Sequence, residues 1–123
     1  QWFPEAARAL AKDGAQIIFY PTAIGYQIAL VSEQNQKERV AWTTIQRAHA
    51  IANGVFVAAI NRVGREDRLN FWGSSFVCDP FGEVLAMADD KTETLLTATC
   101  DLDEIEKVRA DWPLLRSLRK DLY

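Results

Sequence analysis

Two apolar runs constrain the fold more than any other feature of this chain. Residues 17–20 and 55–61 are apolar at consecutive positions rather than at every second position. A strand with this pattern is covered on both faces, so it belongs in the middle of a layered structure. The sequence therefore predicts an α/β (α+β) protein whose sheet is packed between other layers.

Helices are predicted around the first of these strands. Pro4 and Glu5 suit the first turn of a helix over residues 4–12, because proline is favoured at the first position and a carboxylate at the positive helix end. A polar loop is predicted over residues 32–36, followed by a long helix over residues 37–53 that Gly54 ends. This helix is apolar around most of its circumference, which predicts burial on more than one side.

The second half of the chain reads as strands followed by a helix. Residues 62–70 are predicted to form a surface loop or hairpin end, and residues 71–79 a strand that enters a turn at residues 80–82. Residues 83–88 and 93–101 are predicted to complete a meander. A last helix is predicted after an aspartate cap at Asp101 or Asp103, to about residue 110, with one more turn over residues 114–119.

Composition excludes several classes of function. A net charge of −3 and a pI near 5.1 provide no field suited to nucleic acid or to an anionic membrane, and no apolar run approaches the length of a membrane helix. Cys78 and Cys100 lie in apolar strand patterns, which favours reduced, buried thiols in a cytoplasmic protein. His49 is the only histidine, and we interpret it as a packed structural residue, with no metal and no cofactor expected.

The chain opens with a motif that carries a family resemblance. Residues 1–5 read Gln-Trp-Phe-Pro-Glu, and residues 19–25 read Phe-Tyr-Pro-Thr-Ala-Ile-Gly. Both segments resemble the carbon–nitrogen hydrolase (nitrilase) superfamily, in the branch of the N-carbamoylputrescine amidases. In that branch a Cys-Trp-Asp directly precedes the first segment. The resemblance implies that the nucleophilic cysteine lies just before Gln1 and that no catalytic residue lies in this chain, and we expect residues 1–123 to be the C-terminal portion of a single hydrolase domain.

Further matches in the same order extend the resemblance over the chain. They lie in the long helix, in the strands that follow it, in a hairpin and in the tail: Arg47, Ala48, Ile51 and Asn53; Asn61 to Gly64 and Phe71 to Phe76; Asp79 to Leu85; and Trp112 to Arg116 with Arg119, Asp121 and Tyr123. The resemblance implies the second half of a four-layer α-β-β-α sandwich.

The resemblance also implies which residues line the substrate pocket. They follow the cysteine or end the next strand, and they are Gln1, Trp2, Ala23, Ile24, Gly25 and Tyr26. Carbamoylputrescine enzymes continue after the glycine with Ser-Glu-Pro, whereas this chain has Tyr26-Gln27-Ile28. The carboxylate that suits a cationic amine is thus absent from this segment, although the aromatic ring of Tyr26 can still hold an ammonium group by a cation–π contact of about 0.5–2 kcal/mol.

Two functions from different classes follow. The first is part of a thiol hydrolase that acts on a small-molecule linear amide or N-carbamoyl amine and assembles as a homodimer or higher homo-oligomer. In such enzymes the cysteine attacks, a glutamate moves protons and a lysine holds the oxyanion. The second is a catalytically empty binding or assembly module that retains half of the fold. A Cys-Trp-Asp before Gln1 distinguishes them. A thiol enzyme that uses Cys78 or Cys100 lacks a partner base.

Overall fold

The computed structural model describes residues 1–29 and 32–119. Its helices are α1 (Pro4–Lys12), α2 (Ser32–Asn53) and α3 (Asp103–Asp111). Its strands are β1 (Ile17–Thr22), β2 (Gly25–Gln27), β3 (Phe56–Asn61), β4 (Val63–Glu66), β5 (Leu69–Trp72), β6 (Phe76–Cys78) and β7 (Val84–Met87). The matches at Asp121 and Tyr123 lie outside the described residues.

The main sheet has the strand order β1-β3-β6-β7, in which β1 lies at one end and pairs in parallel with β3. Alternate residues such as Ile18, Val57 and Phe76 point to one face, where they form a core with Ala7 of α1 and Trp42 of α2. The two predicted apolar strands are therefore confirmed, and the structure places them side by side with helices covering one of their faces.

The opposite face of this sheet is apolar and only partly covered within the chain. Phe19 of β1 and Ile60 of β3 point to this face and are 61% and 45% exposed. A strand with consecutive apolar residues has apolar side chains on both faces, and this pattern predicts a further layer against the exposed face. The structure thus contains one helical layer and one main sheet, as expected for half of a sandwich.

A second, smaller sheet has the order β2-β5-β4, and its existence corrects the prediction of one strand over residues 71–79. That segment is divided, because β5 belongs to the small sheet and β6 to the main sheet. Gly73 and Ser74 between them both have positive φ (52° and 54°). Their N–H groups donate to the carbonyls of Arg62 and Asp89, which hold the chain in this turn.

Helix α2 begins at Ser32, so the predicted polar loop over residues 32–36 is wrong. Most polar side chains of the first turns face solvent, where Glu33 pairs with Lys37 at 2.8 Å and Gln34 bonds to Glu38 at 3.3 Å, whereas Asn35 is buried. These pairs are one helical turn apart and support an exposed helix. The apolar run continues after Tyr26 to Leu30 and Val31, which lie outside the described residues.

Helix α2 is buried along one stripe within this chain, and burial of a second side, against another subunit, stays a prediction. Trp42, Gln46, His49 and Asn53 are buried on that stripe, whereas Ala48 is exposed. The buried positions recur at helical spacing and include two amides and a histidine, so the stripe carries polar groups as well as core contacts.

Residues 93–101 are not a strand, which corrects the predicted meander. The carboxylate of Asp89 accepts hydrogen bonds from the N–H groups of Lys91 and Thr92, at 2.8 and 2.6 Å. These bonds lower the pKa of Asp89 and turn the chain after β7. The following segment is exposed, Leu95 almost completely. Cys100 therefore lies outside any strand, contrary to its predicted place.

Candidate active site

Gln1, the first of the predicted site residues, is held by hydrogen bonds from two elements distant in sequence. Trp42 Nε1 and Gln46 Nε2 of helix α2 donate to Gln1 Oε1, at 3.0 and 3.1 Å. The side-chain nitrogen Nε2 of Gln1 donates to Thr22 Oγ1 at the end of β1, at 3.2 Å. The side chain therefore joins α2 to β1 and leaves the start of the chain little freedom.

His49 holds the backbone of the same residue. Its Nε2 lies 2.7 Å from the carbonyl oxygen of Gln1, and a carbonyl only accepts, so Nε2 carries the proton and donates. The imidazole is 2% exposed, and its ring centroid lies 5.8 Å from that of Tyr20. The prediction of a packed histidine agrees with this geometry, but the bond is not local to the helix, because it spans 48 residues.

The chain passes from Gln1 into the N-terminus of α1. Phe3 is the N-cap, with φ −97° and ψ 131°, and it makes no side-chain hydrogen bond to the helix, while Pro4 occupies the first turn. The N–H groups of this turn are thus free of a capping side chain, and together with the helix dipole they favour negative charge nearby. Such an end lowers the pKa of a thiol placed in the turn before it.

Asn61, at the end of β3, fixes the second predicted segment of the pocket wall. Its Oδ1 accepts from the N–H of Ile24 at 2.9 Å, and its Nδ2 donates to the carbonyls of Ile24 and Gly73, each at 3.0 Å. Sequence reasoning did not give Asn61 this role. The available signal is an amide that follows an apolar strand, where a buried side chain must find partners.

Gly25 and Tyr26 lie in strand β2, which pairs with β5. A Cβ atom on Gly25 would lie 2.4 Å from the carbonyl oxygen of Asn70, so only glycine allows the two strands to approach this closely. The ring of Tyr26 lies 5.8 Å from that of Trp72, tilted by 32°, and Trp72 in turn lies against Trp42 at 6.2 Å.

These contacts connect most of the predicted site residues. Trp42 contacts residues next to both predicted segments, because it donates a hydrogen bond to Gln1 and packs against Trp72, which lies beside Tyr26. Ile24 joins through Asn61, whereas Trp2 and Ala23 are exposed beside the assembled residues. The structure therefore brings the two predicted segments to one end of the main sheet.

Neither cysteine of this chain is suited to nucleophilic work. Cys78 is fully buried in β6, and burial raises the pKa of its thiol to about 12. Cys100 is half-buried, and burial together with the nearby Glu104 raises its pKa as well. A thiol is nucleophilic as the thiolate, so both are poorly reactive near neutral pH.

The described residues provide neither a metal site nor a membrane-spanning helix. Within residues 1–29 and 32–119 no group of three or more His, Cys, Asp and Glu side chains is placed to hold a metal ion. Across the same residues no helix is both long and apolar enough to cross a membrane.

The sequence as a whole matches a known family. Residues 1–110 fit the family model for carbon–nitrogen hydrolases, and the chain therefore belongs to the carbon–nitrogen hydrolase family. This membership agrees with the resemblance inferred from the opening motif.

The chain is similar to several individual members of this family. Over the whole length of this chain, it is 44% identical to an N-carbamoylputrescine amidase of Arabidopsis thaliana and 40% identical to a citrullinase of Francisella tularensis. A crystal structure of a carbon–nitrogen hydrolase from Helicobacter pylori superposes on 99% of the chain with a TM-score of 0.95 and 48% identity. This match confirms the predicted nitrilase-type α/β fold.

The chain spans less than half the length of these relatives. It covers 43% of the Arabidopsis and Francisella proteins and 44% of the Helicobacter chain. Activity, substrate and assembly are therefore properties to be argued for the whole protein.

Proposed function

We propose that the intact protein is a thiol hydrolase that cleaves a C–N bond in a linear amide or N-carbamoyl amine, and that residues 1–123 form the C-terminal portion of its single hydrolase domain. The observation that carries the proposal is the set of hydrogen bonds that fixes the position of Gln1. Three hydrogen bonds from α2 and one to β1 fix the residue that leads into the uncapped N-terminus of α1. A thiolate placed just before Gln1 would be stabilised there.

The proposed chemistry is that of the family resemblance. The upstream cysteine thiolate attacks the amide or ureido carbon, and the carbonyl oxygen becomes an oxyanion near an upstream lysine. Collapse breaks the C–N bond, and the upstream glutamate protonates the leaving nitrogen and then activates the water that releases the acyl group. The residues of this chain position the nucleophile and form one wall of the pocket.

The substrate class follows from the relatives together with Tyr26. N-carbamoylputrescine and citrulline, after which two relatives are named, are both linear chains with a terminal ureido group and a primary amine. We propose the same class here, with a place in polyamine metabolism. Because Tyr26 and Gln27 stand where carbamoylputrescine enzymes have a carboxylate, selection for the cation rests on the tyrosine ring and should be modest.

We further propose that the protein works in the cytoplasm as a homodimer or higher homo-oligomer. Free Cys78 and Cys100 support a reducing compartment. Exposed apolar side chains on the outer faces of the first two helices, Leu10 and Val40 among them, support an association surface there.

Steady-state turnover by the intact protein tests the proposal. N-carbamoylputrescine, citrulline and a neutral carbamoylalkylamine of equal length are the substrates, and replacement of the cysteine before Gln1 by serine is the control. We expect turnover that this replacement abolishes, no turnover by residues 1–123 alone, and less than about a hundredfold preference for the cation. An intact protein without a cysteine at that place, or without turnover, would be the empty binding or assembly module.

A preference of several hundredfold for the cation exceeds what one cation–π contact supplies and would contradict the role of Tyr26. Hydrolysis by residues 1–123 that survives alkylation of Cys78 and Cys100 would contradict the upstream nucleophile.

A further inference from the structure

Helix α2 makes one hydrogen bond to the backbone of Gln1, in addition to its bonds to the Gln1 side chain. The donor is His49 Nε2 and the acceptor is the carbonyl oxygen of Gln1, at 2.7 Å. The neighbouring bonds from Trp42 and Gln46 go to the side chain of Gln1 and fix where that residue lies. The bond from His49 instead fixes the direction of the peptide group that continues into α1.

His49 is itself held so that its donor has one direction. Its ring packs against Tyr20 of β1, and the next turn of α2 contributes Asn53, whose Nδ2 donates to the carbonyl of His49 at 2.8 Å. The imidazole is almost fully buried, and a hydrogen bond from a buried donor is stronger than one in water. The imidazole therefore has a fixed orientation and links helix α2 to the peptide group after Gln1.

We propose that His49 is a positioning residue for the hydrolase reaction, which through the Gln1 carbonyl sets the orientation of the preceding turn and its nucleophile against the N-terminus of α1. This inference rests on the proposed function. The imidazole touches neither substrate nor thiol in this account, and its effect passes through the peptide. A reacting group displaced by about 1 Å can lose up to about a hundredfold in rate, so a rigid bond at this point matters for kcat.

Three substitutions of His49 in the intact protein separate the donor from the packing. Glutamine places its amide nitrogen near the Nε2 position of histidine, whereas the shorter asparagine places it near Nδ1. His49→Gln therefore keeps a donor within reach of the Gln1 carbonyl, and His49→Asn does not. His49→Phe keeps an aromatic ring against Tyr20 and removes the donor.

Ala50→Gly is the matched control. Ala50 is buried in the same turn of α2 and belongs to the core, but none of its side-chain atoms can reach Gln1 by hydrogen bonding. Glycine in a helix interior is destabilising, so this variant reports how a weakened α2 affects activity without loss of the bond to Gln1.

Steady-state kinetics give the first readout. We expect His49→Phe and His49→Asn to lower kcat by about tenfold to a hundredfold with KM changed less than about threefold. We expect His49→Gln to lie within about threefold of the wild type, and Ala50→Gly to keep wild-type kcat. Equal kcat for the glutamine and asparagine variants, or a loss in Ala50→Gly as large as in His49→Phe, would overturn the inference.

The pH dependence of iodoacetamide labelling of the cysteine before Gln1, read by peptide mass spectrometry, gives a second readout that needs no turnover. Glu5 in the first turn of α1 is unchanged in every variant, so its charge affects all of them alike. We expect the labelling midpoint to rise by about half a pH unit in His49→Phe and His49→Asn and to stay in place in His49→Gln.

An unchanged midpoint in all three variants would overturn the positioning role. A different result, an intact wild-type protein that hydrolyses no amide or ureide, would contradict the proposed function. In that case the labelling still decides whether His49 orients the turn. An intact protein that lacks a cysteine before Gln1 would overturn both.

Discussion

Replacement of Gly25 by alanine is expected to be the most damaging small change in the pocket wall. A Cβ atom at this position would lie 2.4 Å from Asn70 O, 2.8 Å from Asn70 C and 2.8 Å from the Cα of Phe71. All three are backbone atoms of strand β5, so no side chain can rotate to make room. Strand β2 must move away from β5, and Ile24 and Tyr26 on either side of Gly25 must move with it.

The expected cost is about 3 kcal/mol of unfolding free energy, the upper end of the range for overpacking, because the clash is with backbone. Gly14→Ala is the control, since a Cβ there meets nothing within 4 Å and only the positive φ of 98° opposes it. We expect about 1–2 kcal/mol for Gly14→Ala, with no change in kcat/KM. Urea unfolding of the intact protein measures the first quantity, and turnover of N-carbamoylputrescine the second.

The two variants should differ in their effect on activity as well as in how much stability they lose. Gly25→Ala should lower kcat/KM, because the wall residues Ile24 and Tyr26 shift, whereas Gly14 is remote from them. If Gly25→Ala were no less stable than Gly14→Ala and equally active, the close approach of β2 and β5 would not be a constraint on the site.

Two further predictions concern the chain itself. Burial raises the pKa of Cys78 from 9.0 to about 12 in the folded protein, so between about pH 9 and 12 only the unfolded thiol ionises. The free energy of unfolding should therefore fall over this pH range and be unaffected by Cys78 below it. Cys78→Ala should flatten the decline measured by urea unfolding, and an equal decline in the wild type and the variant would contradict the prediction. Residues 1–123 alone should aggregate or self-associate in size-exclusion chromatography with light scattering, because Phe19 and Ile60 expose an apolar sheet face; a monodisperse monomer with a cooperative melt would show that this face needs no cover.

Local chemistry was enough to predict the elements that begin and end with strong signals. Helix α1 spans Pro4–Lys12 as expected from its proline, its carboxylate and the glycine beyond it. The start of α2 was missed because a solvated helix turn and a polar loop have the same composition, and only the spacing of Glu33 and Lys37 distinguishes them.

Features that depend on distant partners were not predictable from local pattern. The aromatic residues on both sides of Gly73 read as one strand, and the break depends on contacts with Arg62, Asp89 and Asn61. Likewise Gln1 was predicted as a wall residue from the resemblance, whereas its bonds to Trp42 and Gln46 exist because α2 packs against α1 and β3 and so passes beside Gln1. Hydrogen bonds over such separations are fixed by topology, which composition does not encode.

Covalent labelling of the intact protein shows whether a thiol just before Gln1 is the nucleophile. Iodoacetamide at neutral pH, followed by peptide mass spectrometry and residual activity, identifies which thiol carries the reaction. We predict that one cysteine just before Gln1 is alkylated first, in proportion to the activity lost and more slowly with N-carbamoylputrescine present, while buried Cys78 stays unlabelled. Full activity after complete labelling of that cysteine, or inactivation that follows labelling of Cys78 or Cys100, would contradict it.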